Sequence, residues 1–233
     1  MHNIKILFIL LLASLPDIAS GQWRVGATGG TTLNHYVIDK HYMEDWHYDN
    51  GCGATFGVFG QYDFMTWKKW TFGVRADLNW AQKNHKAYRN QLSEGETKAV
   101  DYTFYNNYLQ LPVMANINFG RKLKGFINLG IYGAYWLTNN VKGHSSYGSM
   151  KSRIRTLLTE ESKVAFDGKR DQRWEFGLIG GIGGEWQFAL HWGVHLELRY
   201  YRGLTSKQKD YMQTNDPRYN DTFALQTGLS YIF

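Results

Sequence analysis

From Trp23 to the C-terminus, hydrophobic and polar residues alternate along much of the chain. A period of two is the mark of strands with two chemically different faces. Between Trp70 and Trp80 one face carries Trp70, Phe72, Val74, Ala76, Leu78 and Trp80, and the other Thr71, Gly73, Arg75, Asp77 and Asn79. Leu109 to Phe119, Trp192 to Tyr201 and Phe223 to Phe233 repeat the pattern, and weaker versions run through 23–31, 53–64, 125–137 and 173–187. These segments predict about eight strands of roughly 9–14 residues, near the length a tilted strand needs to cross a bilayer.

The links between them alternate as well. Short ones fall at 65–69, 120–124 and 188–191; long ones fall at 32–52, 81–101, 138–172 and 203–220. Short turns at one end and long loops at the other, with both termini at the short end, describe an up-and-down antiparallel barrel with long extracellular loops. The aromatic residues agree. Trp23, Phe64, Trp67, Trp70, Phe119, Trp186, Trp192 and Phe233 lie beside the short turns, whereas Trp80, Tyr135, Trp174, Tyr200 and Phe223 lie toward the long loops. Two rings of aromatics separated by aliphatic residues fit two membrane interfaces, because amphipathic rings settle at headgroup level. The expectation is all-β: one transmembrane β-barrel whose apolar face meets lipid.

Composition narrows this further. Hydrophobic residues make up 43% of the 233 and charged residues 20%, which argues against disorder. The low mean hydropathy excludes a helical membrane protein but not a barrel, since a barrel strand gives only alternate residues to lipid. Lys5, the apolar run from Ile6 to Leu15 and the small-residue stretch Ala19-Ser20-Gly21 read as a secretory signal, residues 1–21, cleaved before Gln22. Residues 22–233 would then form the barrel domain. A net charge of +6 suits contact with lipid headgroups and phosphorylated glycolipid; the basic residues are too scattered for nucleic acid. The single Cys52 rules out an internal disulfide and a four-cysteine zinc site.

Four stretches, YLQLPVMANINF (108–119), EFGLIGGIGGEW (175–186), LELRYYRGL (196–204) and LQTGLSYIF (225–233), together resemble the Bacteroidota-type outer-membrane β-barrel domain family, often termed PorT-like. The resemblance spans roughly the whole mature chain. It implies a small up-and-down barrel in the outer membrane, inserted by the barrel-assembly machinery that reads a C-terminal aromatic such as Phe233. It implies little about activity, as most members have no assigned role and the founding name belongs to a protein-secretion accessory.

An eight-stranded barrel is just wide enough inside for its own side chains. The inward-facing set includes Arg24, Asp63, Arg75, Asp77, Arg173, Glu175, Glu185, His195, Glu197 and Arg199, and the mixture of signs predicts a neutralised charge network that plugs the interior. A narrow ion path is the alternative. Gly177, Gly181 and Gly183 would make room for long charged side chains.

Candidate chemistry lies in the loops. His35-Tyr36, His41-Tyr42 and His47-Tyr48 repeat every six residues among Asp39, Glu44, Asp45 and Asp49, a donor set that could hold a borderline metal, or a duplicated solvated segment. Loop 138–172 carries Lys142, Lys151, Arg153, Arg155, Lys163, Lys169 and Arg170, with a helix-like amphipathic centre from Met150 to Leu158. It could grip glycolipid phosphates or a protein partner, or simply cover the barrel mouth. His35, His41, His47, Lys151, Arg153 and Arg155 are therefore the candidate loop contacts. Hydrolysis finds no support: His144 with Ser145 and Ser146 sits within a loop, Ser230 lies at the short-turn end, and no Ser–His pair falls at one height on neighbouring strands. Neither a catalytic group nor a cofactor is expected. A soluble lipocalin-like carrier, suggested by Gly21-Gln22-Trp23, conflicts with the strand-end aromatics. What remains is a binding, structural or envelope-complex accessory role through the loops, with a small pore and a lipid-modifying enzyme as rivals.

Overall fold

The computed structural model describes residues 21–38, 46–93, 96–149, 155–209 and 217–233. The proposed signal lies outside the described residues apart from Gly21. Ten antiparallel strands form a single sheet, and no helix occurs among the described residues. They are β1 (Gln22–Ile38), β2 (His47–Trp67), β3 (Trp70–Gln82), β4 (His85–Ser93), β5 (Glu96–Gly120), β6 (Leu123–Ser149), β7 (Arg155–Lys163), β8 (Trp174–Gln187), β9 (Trp192–Gly203) and β10 (Arg218–Ile232). Eight of them close a ring in the order β1–β2–β3–β5–β6–β8–β9–β10, and β10 returns to β1 from Arg24↔Ile232 to Ile38↔Arg218. Closure leaves no unpaired edge at membrane depth, which is what a strand protein in lipid requires.

The two remaining strands correct the view of 81–101 and 138–172 as loops. β4 continues the line of β3: Gln82↔Asn107 and His85↔Phe104 keep one register against β5. The continuation is broken only at Lys83-Asn84. There Asn106 stitches the gap: its N–H donates to Asn84 Oδ1 at 3.1 Å, and its Nδ2 donates to the Lys83 carbonyl at 3.1 Å and meets His85 Nδ1 at 3.2 Å. β7 likewise pairs with the outer half of β6, from Asn140↔Lys163 to Gly148↔Arg155. The helical reading of Met150–Leu158 is overturned for its described part, since Arg155 to Leu158 belong to β7. Strands β5 and β6, at 25 and 27 residues, far exceed the expected length. Beyond the bilayer both faces of a strand meet water, so the hydrophobic alternation ends while the backbone ladder continues.

Within the ring the two faces separate as the alternation requires. Leu111, Leu129, Ile131, Ile182 and Leu196 are exposed outward, and Arg75, Asp77, Glu197 and Arg199 are buried inside. Aromatic pairs bracket the apolar band: Trp70–Phe119 (ring centroids 4.9 Å apart) at the short-turn end, Tyr135–Trp174 (4.9 Å) and Tyr200–Phe223 (4.7 Å) toward the other. Two local departures keep the faces in order. A bulge between Asp63 and Met65 turns Phe64 and Met65 both outward. Pro112, which has no N–H, coincides with the missing pairings of Asp77 and Leu78 on β5. The turn between β2 and β3 is only two residues, with Lys68 at φ 58°.

Candidate functional site

The interior is filled in three tiers. At the short-turn end Arg24 on β1 pairs with Asp63 on β2 (3.4 Å) and with Glu185 on β8. In the middle a quartet crosses the lumen between β3 and β9, which stand opposite each other in the ring. Arg75 Nε lies 2.9 Å from Asp77 and its NH1 3.5 Å from Glu197; Arg199 lies 2.6 Å from Asp77 and 2.8 Å from Glu197. Each cation touches both carboxylates, and the Arg75 guanidinium also covers the Phe59 ring at 3.9 Å. Amides join the tiers: Gln61 donates to Asp63 and Asn116, Asn116 to Asn128, and Asn128 to Glu197 at 2.7 Å. Buried charge is tolerated when paired and hydrogen-bonded, and each of these charged groups has an ionic partner, although Arg24 Nε, Glu185 Oε1 and Arg199 Nε are left without a hydrogen bond.

The third tier lies below the long-loop mouth. Lys83 donates to Glu175, whose carboxylate also accepts from Tyr132 Oη at 2.7 Å and Asn220 Nδ2 at 2.6 Å. Lys83 falls in a segment where the alternation predicts a loop, yet its odd parity with Arg75 and Asp77 continues the inward face past Trp80. Arg173 is a correction. It stands before β8, its Nε donates to the Trp136 carbonyl (3.0 Å), and its guanidinium lies on Tyr135 and Phe166 at 4.4 and 4.3 Å, outside the charge network. The glycines need similar revision. A Cβ on Gly181 would meet Glu197, but one on Gly177 or Gly183 would meet the Tyr132 or Phe126 ring, so two of the three make room for aromatics rather than charge.

Above the third tier the structure forms a cavity of about 320 Å³ that no sequence pattern indicated. One wall is a ring sandwich from three strands. Tyr36 of β1 stacks on His85 of β4 (4.0 Å, 6°), and His85 stacks on Phe104 of β5 (4.7 Å, 3°). Trp136 of β6, stacked on Tyr108 at 5.9 Å, forms another side. The rim is built by residues 164–173, the excursion between β7 and β8, which meet residues 204–209 through Gln172 N–H to the Lys207 carbonyl (2.9 Å) and Lys209 N–H to the Arg170 carbonyl (3.0 Å). Lys207 descends between Tyr36 (4.9 Å) and Trp136 (4.6 Å) and is 6% exposed. Burial pulls its pKa down to about 7, against the opposing attraction of Glu175. His85 is held well below its usual value by burial and by the nearby Lys207 and Arg218, and burial pushes Tyr36 up to about 12.

The loop contacts singled out by sequence do not converge here. His35 Nδ1 hydrogen-bonds Asn50 at 2.7 Å on the exposed face, and His47 stacks on Tyr88 at 5.1 Å. His41, Lys151 and Arg153 lie outside the described residues, and Arg155 is placed only as the start of β7. Among the described residues no group of three or more histidine, cysteine or acidic side chains is placed to hold a metal. His144 Nδ1 meets Thr159 Oγ1 at 3.0 Å, and Ser230 donates to the Gly193 carbonyl.

No curated protein matches the chain in sequence. Similar solved structures include OprG of Pseudomonas aeruginosa (13% identity, TM-score 0.46, covering 91% of this chain and 96% of that one) and Neisserial surface protein A (9%, 0.42, 90% and 96%). Another is Ail, the attachment invasion locus protein of Yersinia pestis, solved with a heparin analogue (14%, 0.37, 91% and 99%). A family model described as the outer membrane protein β-barrel domain matches residues 14–207. With the closed ring, the lipid-facing apolar band and that match over most of its length, the chain belongs to the outer membrane protein β-barrel domain family and resides in the cell outer membrane.

Proposed function

We propose that this protein acts from its extracellular end as a binding or structural component of the envelope, and that its barrel is a closed support rather than a conduit. The observation that carries the reading is the quartet of Arg75, Asp77, Glu197 and Arg199, which ties opposite walls of the barrel together at its centre. Below it Arg24 holds Asp63 and Glu185, and above it Lys83 holds Glu175. An ion crossing the barrel would have to displace buried charges that are already paired with one another. Export by residues 1–21, contacts with outer-membrane lipid and glycolipid, and engagement of envelope proteins in the manner of a PorT-like accessory belong to the same reading. The reading includes no catalytic step.

Purified protein in planar bilayers tests it. The wild-type barrel is expected to remain silent across the accessible voltage range, and Arg199→Ala to give at most brief openings. Stable single-channel currents through the wild type would overturn the closed-barrel reading in favour of a pore.

A further inference from the structure

The cavity at the mouth gathers unpaired polar atoms around an open space, whereas others, such as Asn79 Nδ2 and Gln226 Oε1, are enclosed in the barrel interior. Among the described residues, Asn106 Oδ1, in a side chain with 0% exposure, Asn139 Oδ1 and Gln208 Oε1 are buried without a hydrogen-bond partner, and Arg218 Nε is a buried donor without an acceptor. All four residues line the one cavity. Buried polar atoms ordinarily find partners, so four orphans around a single space call for a group that supplies them. Three carbonyl acceptors require donors, which hydroxyl groups provide. The free Arg218 Nε–H and the Lys207 ammonium, which lies over the Tyr36 and Trp136 rings and makes no ion pair with a described carboxylate, suit an anion. The flat walls of Trp136 and Tyr36 suit the C–H face of a ring. At about 320 Å³ the space is near the lower end of small-ligand pockets, roughly 300 Å³ upward.

We infer that the mouth cavity binds an acidic sugar unit, its carboxylate or phosphate held by Lys207 and Arg218, its hydroxyls donating to Asn106, Asn139 and Gln208, and its ring lying against Trp136. This rests on the proposed role of the extracellular end as a binding surface, and it specifies the ligand chemistry. The strands supply the frame. Asn106 is fixed on β5 by its bonds across the β3–β4 break, and Lys207 is clamped through its backbone to Arg218 (2.9 Å) and Gln172 (2.9 Å). The ligand would therefore enter a preformed site and lose little affinity to ordering the protein.

Such a site has a pH signature. Among the described residues, the groups that face Lys207 are Tyr36 and Tyr108 from β1 and β5, His85 from β4, Arg218 from β10, Arg170 and Asp171 from the rim, and Lys83 and Glu175 below. His85 stays neutral and Tyr36 stays protonated through neutral pH, and the arginines stay charged. Lys207, at about 7, is the group that changes charge in that window. An anion binds the protonated form, so complex formation takes up a proton above pH 7, and affinity falls by up to about tenfold per pH unit there.

Isothermal titration of the mature protein in detergent tests the assignment, with glucuronate, glucose 6-phosphate, glucose, acetate and inorganic phosphate as probes. Glucuronate or glucose 6-phosphate is expected to bind one per chain, at least about tenfold more tightly than glucose or the simple anions. Whichever acidic sugar binds identifies the acid as carboxylate or phosphate. Proton uptake, read from buffers of different ionisation enthalpy, should appear at pH 8 and vanish in Lys207→Met; Arg218→Gln should weaken binding about tenfold or more. Binding of neither acidic sugar, equal binding of glucose or of a simple anion, or unchanged affinity in Lys207→Met would overturn the site. If Lys207→Met fails to fold, the proton uptake of the wild type still decides. A protein that ignores both acidic sugars yet stays silent in bilayers loses this site and keeps the closed barrel.

Discussion

Arg199 reaches Asp77 and Glu197 from a position with no exposed surface, and the energetic weight of such a residue lies in what its removal leaves behind. Replacing it with Met would leave two buried carboxylates sharing Arg75. Breaking a buried network in this way costs on the order of 3–5 kcal/mol, whereas replacing every member with apolar residues of matching volume can be neutral. Arg199→Met is therefore expected to lower unfolding stability by that amount in guanidinium titrations in phospholipid. A loss under about 1 kcal/mol would show that the quartet is not the centre of the interior. The residues of this quartet were legible beforehand, because strand parity alone puts Arg75 and Asp77 on one face and Glu197 and Arg199 on one face. Which cation meets which carboxylate was not legible, since that depends on β3 and β9 standing opposite each other in the ring.

At the scale of the element, each crossing strand is a two-sided object, and the sides are not interchangeable. Leu129 stands at the middle of the membrane half of β6, 61% exposed on the outside, while its neighbour Asn128 is fully buried and bonded to Asn116 and Glu197. An arginine on the lipid face at mid-depth costs about 2–4 kcal/mol. Leu129→Arg should lose that much in the same titrations, and Leu129→Ile almost nothing. Equal tolerance of both would mean that this face does not meet hydrocarbon. The outer halves of β5 and β6 were misjudged as loops for the complementary reason. Lys142 and Glu161 pair at 2.9 Å on exposed parts of β6 and β7, where water solvates both faces, so no hydrophobic alternation announces the ladder. The helical look of 150–158 failed in the same way, because its described part spends its backbone groups on β6.

For the molecule as a whole, closure is the dominant fact. The β1–β10 ladder runs over fifteen residue pairs, and opening it would bare both strand edges to lipid. Such a barrel resists detergent until heated. Unboiled protein on a detergent gel is expected to migrate at a different position from boiled protein, and identical mobility would remove the closed ring. The outer strands β4 and β7 do not take part in closure, but β4 supplies part of the wall of the mouth cavity and the connection that follows β7 builds its rim. The closed ring and the mouth cavity are thus built from the same continuous strands, one half in the bilayer and the other beyond it.

Taken alone, the sequence determined the class, the number of crossing segments, their two faces, the aromatic rings and the inward charges. All of these follow from local periodicity, and the bilayer imposes that periodicity residue by residue. Only the tertiary structure decided that Lys83 joins Glu175, that Arg173 leaves the interior, and that β4 and β7 extend the sheet. It also decided that Tyr36, Asn106, Trp136, Lys207 and Arg218, which come from four strands and a connection, surround one cavity. Their convergence depends on ring closure and on the register at the outer ends of long strands, where polar residues fill both faces and no pattern in the chain records which side chains turn toward the mouth.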